Sequence, residues 1–166
     1  MKLPDGTPIV TADCFEYLVK NGFFTAPAST KYHGAYEGGL FDHSIAVAKA
    51  LVDMTERNML KWQNPRSPYI VGMLHDLCKI DSYIEVMDDV WEHNPDTSLK
   101  GHGDKSVMLL STLMQLTEEE MLCIRYHMGA FTDKEEWKYY SAAVEKYPNV
   151  LWTHTADMIA ARVEGV

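Results

Sequence analysis

Titratable side chains interrupt segments of the sequence that are otherwise apolar. His75 and Asp76 stand together inside the run VGMLHDLCKI, and Asp157 interrupts the stretch THTADMIAA. Burying such a group without a partner costs several kcal/mol, and imidazole and carboxylate groups are ligands suited to first-row divalent ions. A metal centre is therefore the simplest explanation of these placements. Three further histidines, each near a helix end or turn, complete the candidate ligands: His43, His102 and His127.

The adjacent pair His75 and Asp76 has a geometric consequence. Neighbouring positions of a helix point about 100° apart, so both side chains reach one ion only if it lies above the edge of the helix. Because a carboxylate has two oxygens, Asp76 can also bridge to a second ion. Two ions roughly 3.5 to 4 Å apart activate a water and clamp the oxygens of a phosphoryl group. One turn later, the Lys79 ammonium can neutralise charge that develops on such an oxygen.

The order of these residues resembles that of the HD-domain superfamily of metal-dependent phosphohydrolases. The family pattern is a His, then an adjacent His-Asp pair, then a distal Asp, with two more histidines where two metals bind. The resemblance covers residues 32–162. It implies a first metal held by His43, His75, Asp76 and Asp157, and a second held by Asp76, His102 and His127. It also implies catalytic roles for Asp76 and for Lys79, which matches the lysine of an HDxxK motif.

Within this superfamily, the chain looks most similar to the HD domain of bacterial 3'-to-5' exoribonucleases. The segments that carry this similarity are YHGAYEGGLFDHS, HDLCKI, GHGDKS and YHMGAF. It implies a substrate contact from Lys79, and His33, Tyr36 and Arg66 are looser candidates for further contacts.

The resemblance implies an enzyme that hydrolyses a phosphomonoester or phosphodiester of a small nucleotide-like substrate. Its cofactor is then one or two divalent ions, Mn²⁺, Fe²⁺, Co²⁺ or Ni²⁺, with Mg²⁺ as a further option. Two alternatives use the same ligands: a di-iron oxygenase, and a non-catalytic domain that senses a ligand. Iron content and oxygen uptake distinguish the first alternative from a hydrolase. Activity that is equal in ligand-site variants and wild type favours the second.

Composition and charge narrow the range of partners. The chain has 166 residues, with 15 Lys and Arg against 24 Asp and Glu, a formal net charge of -9. An acidic chain repels a long polyanion, so duplex nucleic acid is not an expected partner. No apolar run approaches the roughly 18 residues of a membrane span. The three cysteines, Cys14, Cys78 and Cys123, are odd in number and widely spaced, which argues against a disulfide framework. We therefore expect a cytoplasmic protein. A homodimer is left open.

Hydrophobic periodicity predicts a single all-α domain of six or seven helices over residues 1–166, with an N-terminal helix and loop at 1–30. The resemblance implies that this domain is an HD-type helical bundle and that residues 32–162 form its metal-binding core. The helices are predicted at 11–21, 41–59, 69–79, 104–116, 117–128, 133–147 and from 149 onward. Asp104 and Thr117 are predicted caps, and Glu118–Glu120 a solvated helix start. The aromatic-rich segment 22–39 is a loop that can cover a pocket, and 82–100, around Asp88-Asp89, is a hairpin or an irregular loop.

Overall fold

Almost all regular structure in the protein is helical. The computed structural model describes residues 2–3, 5–88, 90–97 and 99–166. Within these residues the α-helices are α1 (Ala12–Lys20), α2 (Gly39–Glu56), α3 (Ser67–Leu74), α4 (Gly103–Ser111), α5 (Glu118–Arg125), α6 (Trp137–Lys146) and α7 (Asn149–Ile159). The prediction of an all-α fold with six or seven helices is confirmed.

A small antiparallel hairpin is the exception to this helical architecture. It pairs β1 (Tyr83–Met87) with β2 (Val90–His93). Of the two alternatives for segment 82–100, the structure therefore adopts the hairpin. Asp89, at the centre of its predicted turn, lies outside the described residues.

Side-chain hydrogen bonds cap the starts of α1 and α5. The Thr11 hydroxyl accepts from the backbone N–H of Cys14 at 3.1 Å, and Thr117 forms a capping box with Glu120. Both are helix starts of the expected kind. The prediction that the acidic run is solvated is wrong for Glu119 and Glu120, which are buried. Asn149 donates to Glu119 at 2.8 Å and Ser67 donates to Glu120 at 2.8 Å, so distant residues satisfy both carboxylates.

The helix predicted over 69–79 is broken at the His-Asp pair. α3 ends at Leu74, and the chain continues as a short 3₁₀ helix, Leu77–Asp81. Asp76 lies between them with φ -103° and ψ 21°. Beyond the break, the backbone N–H of Cys78 donates to the Ser106 hydroxyl at 3.0 Å, which satisfies a donor that a continuous helix would have satisfied itself.

Other helix boundaries also differ from prediction. α4 and α5 end earlier than expected, at Ser111 and Arg125, and α7 continues into one π-helical turn, Ala160–Glu164. A 3₁₀ turn, Lys134–Glu136, precedes α6. The residue at the N-cap of α4 is His102, so the capping role predicted for Asp104 is wrong. The Asp104 carboxylate instead accepts from Arg125.

Close helix packing brings the candidate ligands together. At Gly72 a Cβ atom would lie 2.3 Å from Ala48 Cα, so only glycine allows α3 to approach α2 this closely. At Gly103 a Cβ would lie 2.1 Å from the carbonyl oxygen of Arg125, which imposes the same restriction where α4 begins beside the end of α5. Leu51 and Leu74 are fully buried beside the α2–α3 contact, and such a leucine contributes about 1.5 to 3 kcal/mol.

The predictions about disulfides and membrane-spanning helices concern features that the described residues show. Cys14, Cys78 and Cys123 are all free and buried, so none of them forms a disulfide. Burial raises the pKa of Cys14 to about 11 and keeps its thiol protonated. No helix among the described residues has the length and apolar character needed to cross a bilayer.

Candidate metal centre

Three residues from separate helices meet in the interior; we call them the deep group: His43, His75 and Asp157. His43 lies on α2, His75 caps the end of α3, and Asp157 lies on α7. His43 Nε2 is 3.1 Å from Asp157 Oδ1 and 3.3 Å from His75 Nε2. Their ligand atoms all lie within 4.8 Å of one another, close enough to hold one ion.

Three further residues form what we call the outer group: Asp76, His102 and His127. His102 Nε2 is 2.7 Å and His127 Nε2 is 3.3 Å from Asp76 Oδ1. The other oxygen of Asp76, Oδ2, lies 3.5 Å from His75 Nε2 and 3.7 Å from His43 Nε2. Asp76 therefore lies between the two groups, with one oxygen towards each. The break of α3 beside it is what lets the adjacent residues His75 and Asp76 reach a common space.

Backbone carbonyls fix the orientation of three histidine rings. The pairs, with their Nδ1-to-oxygen distances, are His43 with Val166 (2.9 Å), His75 with Gly72 (2.9 Å) and His127 with Ile124 (2.7 Å). A carbonyl oxygen only accepts, so each Nδ1 carries the hydrogen and each Nε2 presents a lone pair. Metal-ligating histidines commonly donate their other ring N–H to a backbone carbonyl in this way, and the bond fixes the tautomer and the orientation of the ring.

Unsatisfied buried atoms indicate that the donor set fits a cation. Asp76 Oδ1 and His127 Nε2 are buried and have no hydrogen-bond partner among the described residues, although they are neighbours. The ring of His102 approaches the same oxygen, with Nε2 at 2.7 Å. Leaving such atoms unsatisfied costs about 1 to 3 kcal/mol each. A divalent ion among these lone pairs satisfies them all.

The pKa shifts in the cluster favour ligand-ready protonation states at His75, Asp76 and Asp157. Burial lowers the pKa of His75 to about 3, so its ring is neutral at neutral pH. Burial opposes ionisation of Asp76 and Asp157, but the neighbouring cationic and histidine groups hold both pKa values below the ordinary one. At the outer group, burial lowers the pKa of His102, but the Asp76 carboxylate outweighs it and raises that pKa to about 10.

A cavity of about 250 Å³ opens over the cluster. Asp76, His102 and Asp157 reach its wall, together with the predicted substrate contacts His33 and Lys79. The loop that carries Ala28, Ser29 and His33 contributes to this wall, as expected for a loop that covers a pocket. Lys79 is buried, and its Nζ lies 2.6 Å from Asp76 Oδ2. Although burial lowers the pKa of Lys79, Asp76 raises it overall, so the ammonium stays charged.

Two predicted substrate residues lie elsewhere. Tyr36 donates to Asp42 at 2.9 Å and does not line the cavity. Arg66 precedes α3, with its guanidinium 3.5 Å from the carbonyl of Gln115. At 1.5 Å per residue, Arg66 is about 13 Å along the helix from His75. The structure therefore does not bring either residue to the cluster.

The structure also adds residues that sequence reasoning did not assign to the site. Tyr83, Phe131 and Arg162 line the cavity. His154 Nδ1 is 2.8 Å from the carbonyl oxygen of His127, and the ring also lines the cavity. Helical periodicity does not predict Arg162 at the site, because it follows Asp157 by five residues and lies on the π-helical turn.

Fold and site together define a helical protein with a buried histidine and aspartate centre suited to a divalent metal ion. The chain is 37% identical over 71 residues to the dihydroneopterin 2',3'-cyclic phosphate phosphodiesterase of Methanocaldococcus jannaschii. That stretch covers 41% of this chain and 28% of the relative, so the match spans just over a quarter of the relative's length. No family model and no solved structure matches the chain.

Proposed function

We propose that the protein is a metal-dependent phosphohydrolase that hydrolyses a phosphate ester of a small nucleotide-like substrate. The observation that carries the proposal is the position of Asp76, one carboxylate between two ligand groups at a cavity wall that also presents cations. In this assignment the first ion is held by His43, His75, Asp76 and Asp157, and the second by Asp76, His102 and His127.

The donor set favours particular ions. A divalent ion bound here supplies Lewis-acid charge and activates a water for attack on phosphorus. Four imidazoles with two carboxylates suit Mn²⁺, Fe²⁺, Co²⁺ or Ni²⁺ better than Mg²⁺, which prefers oxygen ligands. Backbone carbonyls already orient the rings of His43, His75 and His127 so that each Nε2 lone pair faces the site. Little reorganisation of these rings is therefore needed when an ion binds.

Side chains beside the cluster supply charge for the phosphate. Lys79 orients Asp76 through one N–H and keeps two further donors for a phosphoryl oxygen. Arg162 lines the cavity, is exposed, and has no ion pair among the described residues. Burial lowers the pKa of His33 to about 4, so it offers a neutral hydrogen-bonding ring. A phosphate ester would therefore meet one buried and one exposed cation.

A small cyclic phosphodiester is the ester that we favour. Its support is the similarity to a relative whose name specifies a 2',3'-cyclic phosphate. The net charge of -9 also disfavours a long polyanion and leaves a small substrate, held by local positive charge, as the better partner.

The test is a substrate and metal screen under anaerobic conditions. Metal-stripped protein receives Mn²⁺, Co²⁺, Fe²⁺ or Mg²⁺ separately and is assayed with nucleoside 2',3'-cyclic phosphates, nucleoside monophosphates and bis(4-nitrophenyl) phosphate. The proposal predicts metal-dependent release of product without oxygen. Lack of hydrolysis with every metal contradicts it, and oxygen uptake by the iron form in a parallel aerobic assay would assign the di-iron oxygenase instead.

A further inference from the structure

A second cavity adjoins the one over the metal cluster. Its volume is about 220 Å³, and it shares His102, Met128 and Phe131 with the first cavity. A substrate whose phosphate lies beside the cluster can therefore extend past these three residues into the second space. The proposed function leaves this space without a role.

The second cavity has a charge opposite to that expected of a phosphate site. Its wall contains three carboxylates, Asp104, Asp133 and Glu136, against two cationic groups, the guanidinium of Arg125 and the ring of His102. Arg125 bonds one oxygen of Asp104 at 2.5 Å and one oxygen of Glu136 at 3.0 Å. An excess of negative charge remains, which repels a phosphate and attracts hydrogen-bond donors. The cavity therefore suits the organic part of a phosphate ester, not its phosphate.

The remaining walls suit a flat ring. Phe131 is 65% exposed, Tyr126 is buried, and Met128 lies between the two cavities. A large aromatic side chain that stays exposed beside a cavity offers a face for stacking. Base-on-aromatic stacking is a common way to bind a nucleobase without sequence-specific hydrogen bonds.

Resting on the proposed function, we propose that this second cavity binds the heterocycle of the substrate and selects one with adjacent N–H donors, as guanine has. Glu136 is the selecting residue. Oε2 of Glu136 lies 3.0 Å from the guanidinium of Arg125 and 3.4 Å from the hydroxyl of Tyr126. These two contacts fix the position of the Glu136 carboxylate. Two adjacent N–H groups pair well with a carboxylate, whereas adenine presents an acceptor at one of those positions.

The test compares guanine with adenine in wild type and Glu136→Gln. Equilibrium binding of guanosine and adenosine is measured by NMR titration, and kcat/KM is measured for the two nucleoside 2',3'-cyclic phosphates. We expect wild type to prefer guanine by about tenfold or more, and Glu136→Gln to lose most of that preference. Glu145→Gln, a matched change at an exposed position of α6, keeps the preference. Phe131→Leu weakens both nucleosides alike by roughly tenfold.

The outcomes separate the two proposals. Equal binding of guanosine and adenosine by wild type overturns the inference, and so does a guanine preference that survives in Glu136→Gln. Selective binding of guanosine without hydrolysis of any phosphate ester supports the inference about the cavity and overturns the proposed function. Circular dichroism of each variant verifies that the fold is retained.

Discussion

Two histidines of the cluster, His75 of the deep group and His102 of the outer group, are held in different ways. His75 is fully buried, and the Gly72 carbonyl orients its ring. His102 is 37% exposed in its side chain, precedes α4, and its Nδ1 lies 3.6 Å from the Cys78 sulfur. A sulfur is a weaker hydrogen-bond partner than a carbonyl oxygen. The deep ring is therefore held by the fold, and the outer ring is held more loosely.

This difference indicates an order of metal binding. The deep group is preorganised by α2, α3 and α7, so we expect it to bind the first and tighter ion. The outer group depends on a ring that must shed a proton, so we expect a weaker ion there. Asp76 couples the two groups because each of its oxygens faces one of them.

The largest effect is expected from Asp76→Asn. The amide removes the shared negative charge and one ligand oxygen, so kcat/KM for a phosphodiester should fall by more than about a thousandfold. Steady-state rates with Mn²⁺ provide the measurement. The matched change Asp53→Asn, at an exposed position of α2, should leave the rate within about twofold of wild type. Retention of a tenth of the activity in Asp76→Asn would contradict the shared role.

His75→Ala and His102→Ala should distinguish the two groups. Loss of His75 should abolish both ions, whereas loss of His102 should leave about one ion per chain and lower kcat/KM by roughly a hundredfold. Metal analysis after equilibrium dialysis counts the ions, and thermal unfolding verifies the fold. Equal losses of metal in the two variants would mean that the groups are not distinct.

Between pH 6 and 8, the two groups should respond differently to pH. His75, with a pKa of about 3, is already neutral and carries no proton to displace. His102, with a pKa of about 10, must lose its proton to ligate, so affinity at the outer group should rise with pH by about tenfold per unit. Calorimetric titration in buffers of different ionisation enthalpy counts the released protons. A second-ion affinity that is flat over this range would refute the assignment.

The smallest effect is expected from Cys78→Ala. This change removes the sulfur beside His102 Nδ1 and should weaken the outer ion by about three- to tenfold, with the deep ion unchanged. The matched change Cys123→Ala removes another buried thiol, in α5, that is not part of the cluster. A drop in deep-ion affinity for Cys78→Ala would show that the two groups are less separate than the distances indicate.

Residue types and order were enough to predict which six side chains meet, because buried imidazoles and carboxylates need partners. The apolar run around His75 and Asp76 contains no proline, so the sequence predicts a continuous helix there. The break is stabilised by the hydroxyl of Ser106, which lies 28 positions after Cys78. Contacts of that range are not visible in local periodicity.

The cavity walls were harder to predict than the ligands. Arg66 and Tyr36 have suitable chemistry, but their distance from the cluster depends on how α2 and α3 are oriented. Arg162 lies on a π-helical turn and reaches the cavity from the helix that carries Asp157. Substrate contacts on exposed positions lack the burial signal that identifies the ligands.

The most direct test of the central claim is a crystal structure with Mn²⁺, with the ions located by anomalous scattering. The account predicts a strong peak bonded to His43, His75, Asp76 and Asp157, and a weaker peak that shares Asp76 with His102 and His127. A protein saturated with Mn²⁺ whose anomalous peaks all lie away from these side chains would contradict it.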